Sequence, residues 1–249
     1  MNKMLLDIPT RFETERLIIR CYEAGDGPLV YAAGVRNRDH LQRYESGNVI
    51  LTAKTEQEAE TLVRELHADW VARNCFFMGA FDKATREFVA QIYVGVVNWD
   101  LPEFAIGYFA DKDHEGQGFV TEAVQAALRF IFEHLQAHRV RLETNEMNTR
   151  SRRVAERCGF VQEGLFRESH RNPDGTFSSD VLYGLCARRV VMIQHIPSAT
   201  DDVCRPMSCD LFPLRKPYLL TWQERIGADL SISDRRYLLP SCSSSFTMR

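Results

Sequence analysis

Between Phe104 and Thr144 the sequence leaves few choices of fold. Phe104-Ala105-Ile106-Gly107-Tyr108-Phe109-Ala110 is an apolar run of strand length, and His114-Glu115-Gly116-Gln117-Gly118 then sets two glycines in a short polar loop. Behind the loop, Val124, Ala127, Leu128, Ile131, Phe132 and Leu135 recur at spacings of three and four, which is one buried stripe of a helix. Val140, Leu142 and Thr144 alternate as a second short strand with one buried face. Such an order calls for a sheet with a helix packed across it. It also sets the two glycines at the helix N-terminus, where unpaired backbone N–H groups and the helix dipole both favour an anion.

Several phosphate-binding loops can be weighed against this stretch. A Walker loop needs Gly-x-x-x-x-Gly-Lys-Ser/Thr, and neither the lysine nor the spacing is present. A dinucleotide fingerprint needs a third glycine where Thr121 stands. Two readings remain. Either the amides of Gly116 to Thr121 hold a pyrophosphate, with glycine allowing close approach to the backbone, or the loop merely requires positive φ.

Elsewhere, Arg11 to Arg20 reads as a first strand, and Gly25-Asp26-Gly27-Pro28 leads into a helical region running to about Tyr44. Thr55-x-x-Glu58 has the form of a capping box ahead of Ala59, Leu62, Val63, Leu66, Trp70 and Val71 at helical spacing. Cys75 to Phe81, the polar turn from Asp82 to Glu87, Phe88 to Trp99 and the run from Phe104 form a meander. Asn148 to Arg157 is a short helix stopped at Gly159, and Asn172-Pro173-Asp174-Gly175 turns Leu165–His170 into Phe177–Leu185. The expected fold class is therefore mixed α/β (α+β), with the domain covering residues 1–189. From Val190 to Arg249, prolines and the run Ser241-Cys242-Ser243-Ser244-Ser245 leave Leu219-Leu220-Thr221-Trp222 and Tyr237-Leu238-Leu239 as the only apolar clusters. This segment reads as a C-terminal tail, docked or partly disordered, with no assigned role.

Composition narrows the partners. A chain of 249 residues with net charge −3, its Lys and Arg scattered rather than striped, lacks the surface that neutralises nucleic-acid phosphates. No apolar run approaches the roughly 20 residues that span a bilayer, and Met4-Leu5-Leu6 is too short for a signal segment, so a cytoplasmic location is expected. The seven cysteines include no C-x-x-C pair and no zinc-like spacing, so free thiols and no metal are expected, with Cys204 and Cys209 as the nearest pair.

An ordered set of short motifs adds a resemblance: Thr14-Glu15-Arg16-Leu17, Ile106-Gly107-Tyr108, Glu115-Gly116-Gln117-Gly118, Thr121-Glu122-Ala123, Asn148-Thr149-Arg150-Ser151, Glu156-Arg157-Cys158-Gly159-Phe160 and Glu163-Gly164. From about Phe12 to Leu185 the chain resembles the GNAT N-acetyltransferases, and within them the RimJ/RimL branch that acetylates ribosomal-protein N-termini. The resemblance implies a mostly antiparallel sheet, splayed at an acetyl-CoA site and flanked by helices. Acetyl-CoA would be the cosubstrate, with direct transfer to a primary amine in a ternary complex, by a monomer or homodimer. The acceptor implied is a protein N-terminal α-amine. A small-molecule amine such as a polyamine or antibiotic, and a non-catalytic acetyl-CoA-binding module, are the alternatives.

The same resemblance assigns residues. The family loop runs Gln/Arg-x-x-Gly-x-Gly/Ala, and here Glu115 stands at its first position and Val120 at its last. Phe109, Ala110, Glu115, Gly116, Gln117, Gly118, Phe119, Val120 and Thr121, joined by Asn148 and Arg153, are the implied cofactor-binding residues. An amide near Phe109 or Ala110 is the implied oxyanion donor. The tyrosine that protonates the thiolate in many family members is replaced by Ala155, which leaves Ser151 as the implied acid. Ala105 stands where a glutamate base is common, so Glu103 on the same strand face and His170 are the candidate bases. Arg150, Arg152 and Arg153 are either contacts to CoA phosphates or a solvated basic face. Trp99 and Tyr93 either line the acceptor side or belong to the core.

Overall fold

The computed structural model describes residues 2–172 and 175–187. The tail from Val190 and the residues Pro173 and Asp174 of the last turn lie outside them. Eight strands and four helices account for most of the described chain: β1 (Arg11–Glu13), β2 (Leu17–Cys21), α1 (Gly27–Gln42), α2 (Glu56–Ala72), β3 (Cys75–Asp82), β4 (Phe88–Asn98), β5 (Glu103–Ala110), α3 (Phe119–Glu133), β6 (Arg139–Asn145), α4 (Thr149–Arg157), β7 (Val161–Arg171) and β8 (Phe177–Cys186). One sheet holds all the strands in the order β1-β2-β3-β4-β5-β6-β8-β7. Every neighbouring pair is antiparallel except β5 with β6, which is the parallel pair that the crossover through α3 requires.

The expected single strand from Arg11 to Arg20 is instead a hairpin, with Arg11 opposite Arg20. Thr14 makes the turn: its backbone N–H donates to the Leu17 carbonyl at 2.9 Å, and its Oγ1 accepts from the Leu17 N–H at 2.9 Å. A side-chain hydroxyl able to accept from its own turn is what ends the run. At α2 the capping box forms, with Thr55 Oγ1 accepting from the Glu58 N–H at 3.1 Å, while the Glu58 carboxylate reaches back one residue further, to the Lys54 N–H at 2.8 Å.

Along β3 and the first half of β4 both faces are buried, so helices cover the sheet on both sides there. On one face α3 lays Ala123, Val124, Ala127 and Ile131 into the core, joined by Phe76, Ile92, Phe104, Val140, Leu142 and Tyr183. The rings of Trp70, Phe76 and Phe130 meet with centroids 5.1–5.7 Å apart. Trp99 packs edge-on against Phe104 and Tyr93 against Phe77, and both remain half-buried.

Candidate active site

Strands β5 and β6 pair at Glu103↔Arg139, Phe104↔Val140 and Ala105↔Arg141, and beyond Ala105 they part. The edge of β5 from Ile106 to Ala110 faces that gap, while its other edge stays on β4 as far as Ala110↔Ala90. The Asp111 N–H donates to the Val89 carbonyl at 2.9 Å, which fixes the phase of the β4–β5 ladder. By strand alternation the Phe109 amide points at β4, and those of Tyr108 and Ala110 point into the gap. Of the two amides expected to face the site, the geometry therefore keeps Ala110, turns Phe109 away and adds Tyr108.

The gap opens toward the loop. Gly116 and Gly118 have φ of +74° and +82°, and Gly118 is the N-cap of α3 with no side-chain cap, so the first-turn amides Phe119, Val120 and Thr121 keep no capping side chain. A Cβ on Gly116 would meet open space, and one on Gly118 would sit 3.4 Å from Arg16 Nη2. Glycine is thus required there by the left-handed backbone and not by crowding. The Phe119 ring is buried, and the Arg16 guanidinium lies 4.6 Å over it, so Phe119 can offer only its amide.

Two clasps hold this loop. In the first, the β1–β2 turn grips the start of α3. The Glu122 carboxylate accepts from Thr14 Oγ1 at 2.5 Å, the Arg16 N–H at 3.0 Å and Arg16 Nε at 2.7 Å, and Arg16 Nη1 donates to the Gln117 carbonyl at 3.0 Å. Burial pushes the Glu122 carboxyl up, but these hydrogen bonds outweigh it and leave the group below its usual range. The second clasp is Asp111, fully buried where β5 ends. It accepts from Arg36 Nε at 2.8 Å and Asn37 Nδ2 at 2.9 Å, and from the Asp113 N–H at 3.1 Å, while Asn37 Oδ1 takes the Lys112 N–H at 2.8 Å. Burial again pushes the carboxyl up, and Arg36 and Asn37 bring it below the usual range.

Glu115, at the position where the family places Gln or Arg, pairs with Arg150 of α4, and His40 Nε2 of α1 stands 3.4 Å from its other oxygen. Of the three arginines at the start of α4, Arg150 is thus held on Glu115, and Arg152 turns inward to Tyr183 Oη at 3.2 Å and the Glu146 carbonyl at 3.3 Å. Arg153 is exposed. Beside the first turns of α3 a groove is lined by Arg16, Arg129 and Arg157 together with the carboxylates of Glu15 and Glu122, the latter already paired with Arg16.

Asn148 caps α4, its Oδ1 accepting from the Ser151 N–H at 3.1 Å, so its side chain is engaged in the helix. Ser151 and Tyr108 meet: Tyr108 Oη donates to the Ser151 carbonyl at 3.0 Å, and Ser151 Oγ donates to Tyr108 Oη at 3.3 Å. Burial pushes the Tyr108 hydroxyl well above the usual range for tyrosine, against the hydrogen bond from Ser151, and it stays neutral. Ala155 is buried in the core, and Cys158 beside it has its thiol pushed up to about 12 by burial, which leaves no ready thiolate for a covalent acyl step.

The candidate bases fare differently. Glu103 lies at the closed end of the fork, paired with Arg139 at 3.3 Å, and Arg139 also holds Glu163. His170, on β7, has its Nδ1 2.6 Å from the buried carboxylate of Asp180 on β8. The contact of Asp180 with His170 was not legible in the sequence. Glu45, which follows α1, is exposed to solvent. Among the described residues no cluster of metal ligands occurs, and no helix is long and apolar enough to cross a membrane.

The fork, the glycine cradle and the parallel crossover through α3 define an acyltransferase architecture. Residues 16–161 match the model of the acetyltransferase (GNAT) domain, and the chain belongs to that family of N-acetyltransferases. It is 25% identical over 178 residues to the [ribosomal protein uS5]-alanine N-acetyltransferase of Escherichia coli, covering 70% of this chain and 90% of that protein. To the probable N-acetyltransferase YjcK of Bacillus subtilis it is 42% identical over 74 residues, a match spanning 30% of this chain and 41% of the relative. The fold is shared with the ribosomal-protein-S5-alanine acetyltransferase from Vibrio fischeri (TM-score 0.64, 20% identity, 72% of this chain and 97% of that one). It is shared likewise with Mycobacterium smegmatis RimJ in complex with CoA-disulfide (TM-score 0.62, 23% identity, 70% and 83%).

Proposed function

We propose that the chain transfers acetyl from acetyl-CoA to a primary amine, and that this amine is the N-terminal α-amine of a ribosomal protein. The observation that carries the reading is the fork, whose wide end opens on the uncapped amides of α3. Beyond its last bridge to β6, the edge of β5 turns the Tyr108 and Ala110 amides and the Ile106 and Tyr108 carbonyls to the gap, where they can take the pantetheine arm as an extra strand. The amides of Gly116, Gln117, Gly118, Phe119, Val120 and Thr121 hold the pyrophosphate, helped by the helix dipole, while Arg153 and the groove arginines face the outer phosphates. Bound acetyl-CoA supplies a thioester as acyl donor.

The remaining steps belong to the protein. The Ala110 amide donates to the thioester oxygen as charge develops on it, and the Tyr108 amide, two residues back on the same edge, is left for the pantetheine arm. Ser151, its hydroxyl held beside the gap by Tyr108, gives a proton to the departing sulfur. His170 takes the proton of the incoming ammonium, a modest demand for an α-amine whose reference pKa of about 7.7–8.0 leaves part of it neutral near pH 7. Glu103, held by Arg139, is the less suited base. The acceptor class draws on the relatives named for ribosomal-protein alanine acetylation, and a cytoplasmic location follows from it. Residues 1–189 form the catalytic domain and 190–249 a tail outside it.

Thiol release from acetyl-CoA with peptides, polyamines and aminoglycosides tests the reading. Release with peptides bearing free N-termini is expected. Release only with a small amine would move the acceptor class, and acetyl-CoA binding without release would leave a binding module.

A further inference from the structure

The hairpin that carries His170 is irregular in a way that serves that side chain. Leu165↔Val181 and Phe166↔Asp180 are in register, but the next pair is His170↔Ser178, so Arg167, Glu168 and Ser169 stand against Ser179 alone. Glu168 has φ of +51°, a left-handed conformation that a residue with a side chain adopts at a cost, and its N–H is tied to Ser179 Oγ at 3.2 Å. Bulges of this kind re-aim side chains. Here the two extra residues keep His170 on the face of β8 that carries Asp180 and shift it along the strand, so that its pairing partner Ser178 stands two residues from Asp180.

Asp180 is 7% exposed, and one of its oxygens, Oδ2, takes both His170 Nδ1 at 2.6 Å and Ser169 Oγ at 2.9 Å. An ionised carboxylate can only accept, so Nδ1 must carry the proton and the lone pair of the neutral ring is left on Nε2. Asp180 lies opposite Asn145, the last residue of β6 and the tip of one prong of the fork. By alternation Asp180 shares a sheet face with Asn145 and Glu143, whereas Leu142 and Tyr183 face the α4 side, where Ser151 sits. The imidazole and the serine hydroxyl therefore lie on opposite faces of the sheet.

We infer that Asp180 is a positioning residue that fixes the tautomer and direction of His170, so that Nε2 is presented to the acceptor amine. The inference rests on the reading of His170 as the base. The charged groups facing the ring are Asp180 from β8 and Glu143 from β6, with Arg141 4.0 Å from Glu143. In Asp180→Asn the amide can present N–H to the ring, which selects the wrong tautomer while keeping the shape of the side chain.

The test is a double-mutant cycle of Asp180→Asn and His170→Ala in the full chain, read as kcat and KM for thiol release on a peptide amine, with acetyl-CoA titration to check the fold and Ser169→Ala as a second route to the same carboxylate. Expected are a loss of tenfold or more in kcat for Asp180→Asn, acetyl-CoA affinity within twofold of the parent, and a double variant no slower than His170→Ala. The pH–rate limb absent from His170→Ala should remain, displaced, in Asp180→Asn, and Ser169→Ala should lower kcat by a smaller factor. Additive losses, or a slow His170→Ala beside an Asp180→Asn at the parent rate, overturn the role of Asp180 alone. A His170→Ala protein at the parent rate overturns the base assignment with it.

Discussion

Glu115 and Arg150 form an ion pair that joins the glycine loop to the first turn of α4, with His40 3.4 Å from the same carboxylate. The pair sets a negative charge at the loop position where the family carries a neutral or positive side chain, and it occupies an arginine otherwise free to face a phosphate. Arg150 is 76% exposed, so the pair itself adds little stability. Glu115→Gln is expected to tighten acetyl-CoA binding severalfold, because two like charges about 4 Å apart in water repel by roughly 1 kcal/mol. Calorimetry at low and high salt checks this, with a smaller gain at high salt; weaker binding would show that Glu115 assists the ligand.

Replacing Gly118 tests the cradle. At φ of +82° a residue with a side chain costs about 1–2 kcal/mol, and a leucine side chain would also stand where a phosphate oxygen approaches the amides. Gly118→Leu is expected to remain folded and to lose acetyl-CoA affinity by tenfold or more. A folded variant with parent affinity would remove the loop from the binding site.

Asp111 ties the loop to α1, and its carboxyl is ionised in the fold at lower pH than in the unfolded chain. Its contribution is therefore complete above the ordinary value of 3.8 and is lost as pH falls through the lower folded value. Asp111→Asn leaves Arg36 without its buried partner and should cost about 3 kcal/mol at neutral pH. Melts of parent and variant should converge as pH drops below 4, roughly the carboxylate range. A constant gap down to pH 2, roughly below that range, would mean that the charge of Asp111 contributes nothing.

Much of this arrangement could be read from the sequence, and the exceptions share a cause. The stripe from Val124 to Leu135 and the loop glycines were legible because periodicity and left-handed backbone are local properties. The β1–β2 hairpin was not, since Arg11 to Arg20 alternates well enough for one strand and only the Thr14 hydroxyl ends it. The clasp of Arg16 on Glu122 joins residues 106 apart, and that of Arg36 on Asp111 joins residues 75 apart, so neither partner identifies the other in sequence. Asp180 lies near His170 in the chain, but an unperturbed hairpin would not bring the two side chains together. The phase of the β4–β5 ladder, which separates Ala110 from Phe109, is likewise set by a cross-strand bond.

Ser151 and Tyr108 should act through different quantities. Ser151→Ala is expected to lower kcat by about 10²-fold, a usual size for loss of a positioned proton donor, with acetyl-CoA affinity within a few-fold of the parent. Tyr108→Phe keeps the ring and removes only the hydroxyl, so a smaller loss in kcat is expected, and none in the Ser151→Ala background. Thiol-release kinetics of the three proteins checks the pattern; a larger loss in Tyr108→Phe than in Ser151→Ala would make the tyrosine the donor.

The most direct measurement is mass-spectrometric localisation of the acetyl group after the chain and acetyl-CoA are incubated with dissociated ribosomal proteins. The expected result is acetyl on the α-nitrogen of an N-terminal residue, with matching release of the CoA thiol. Acetyl found only on lysine side chains, or no transfer by a protein that binds acetyl-CoA, would contradict it.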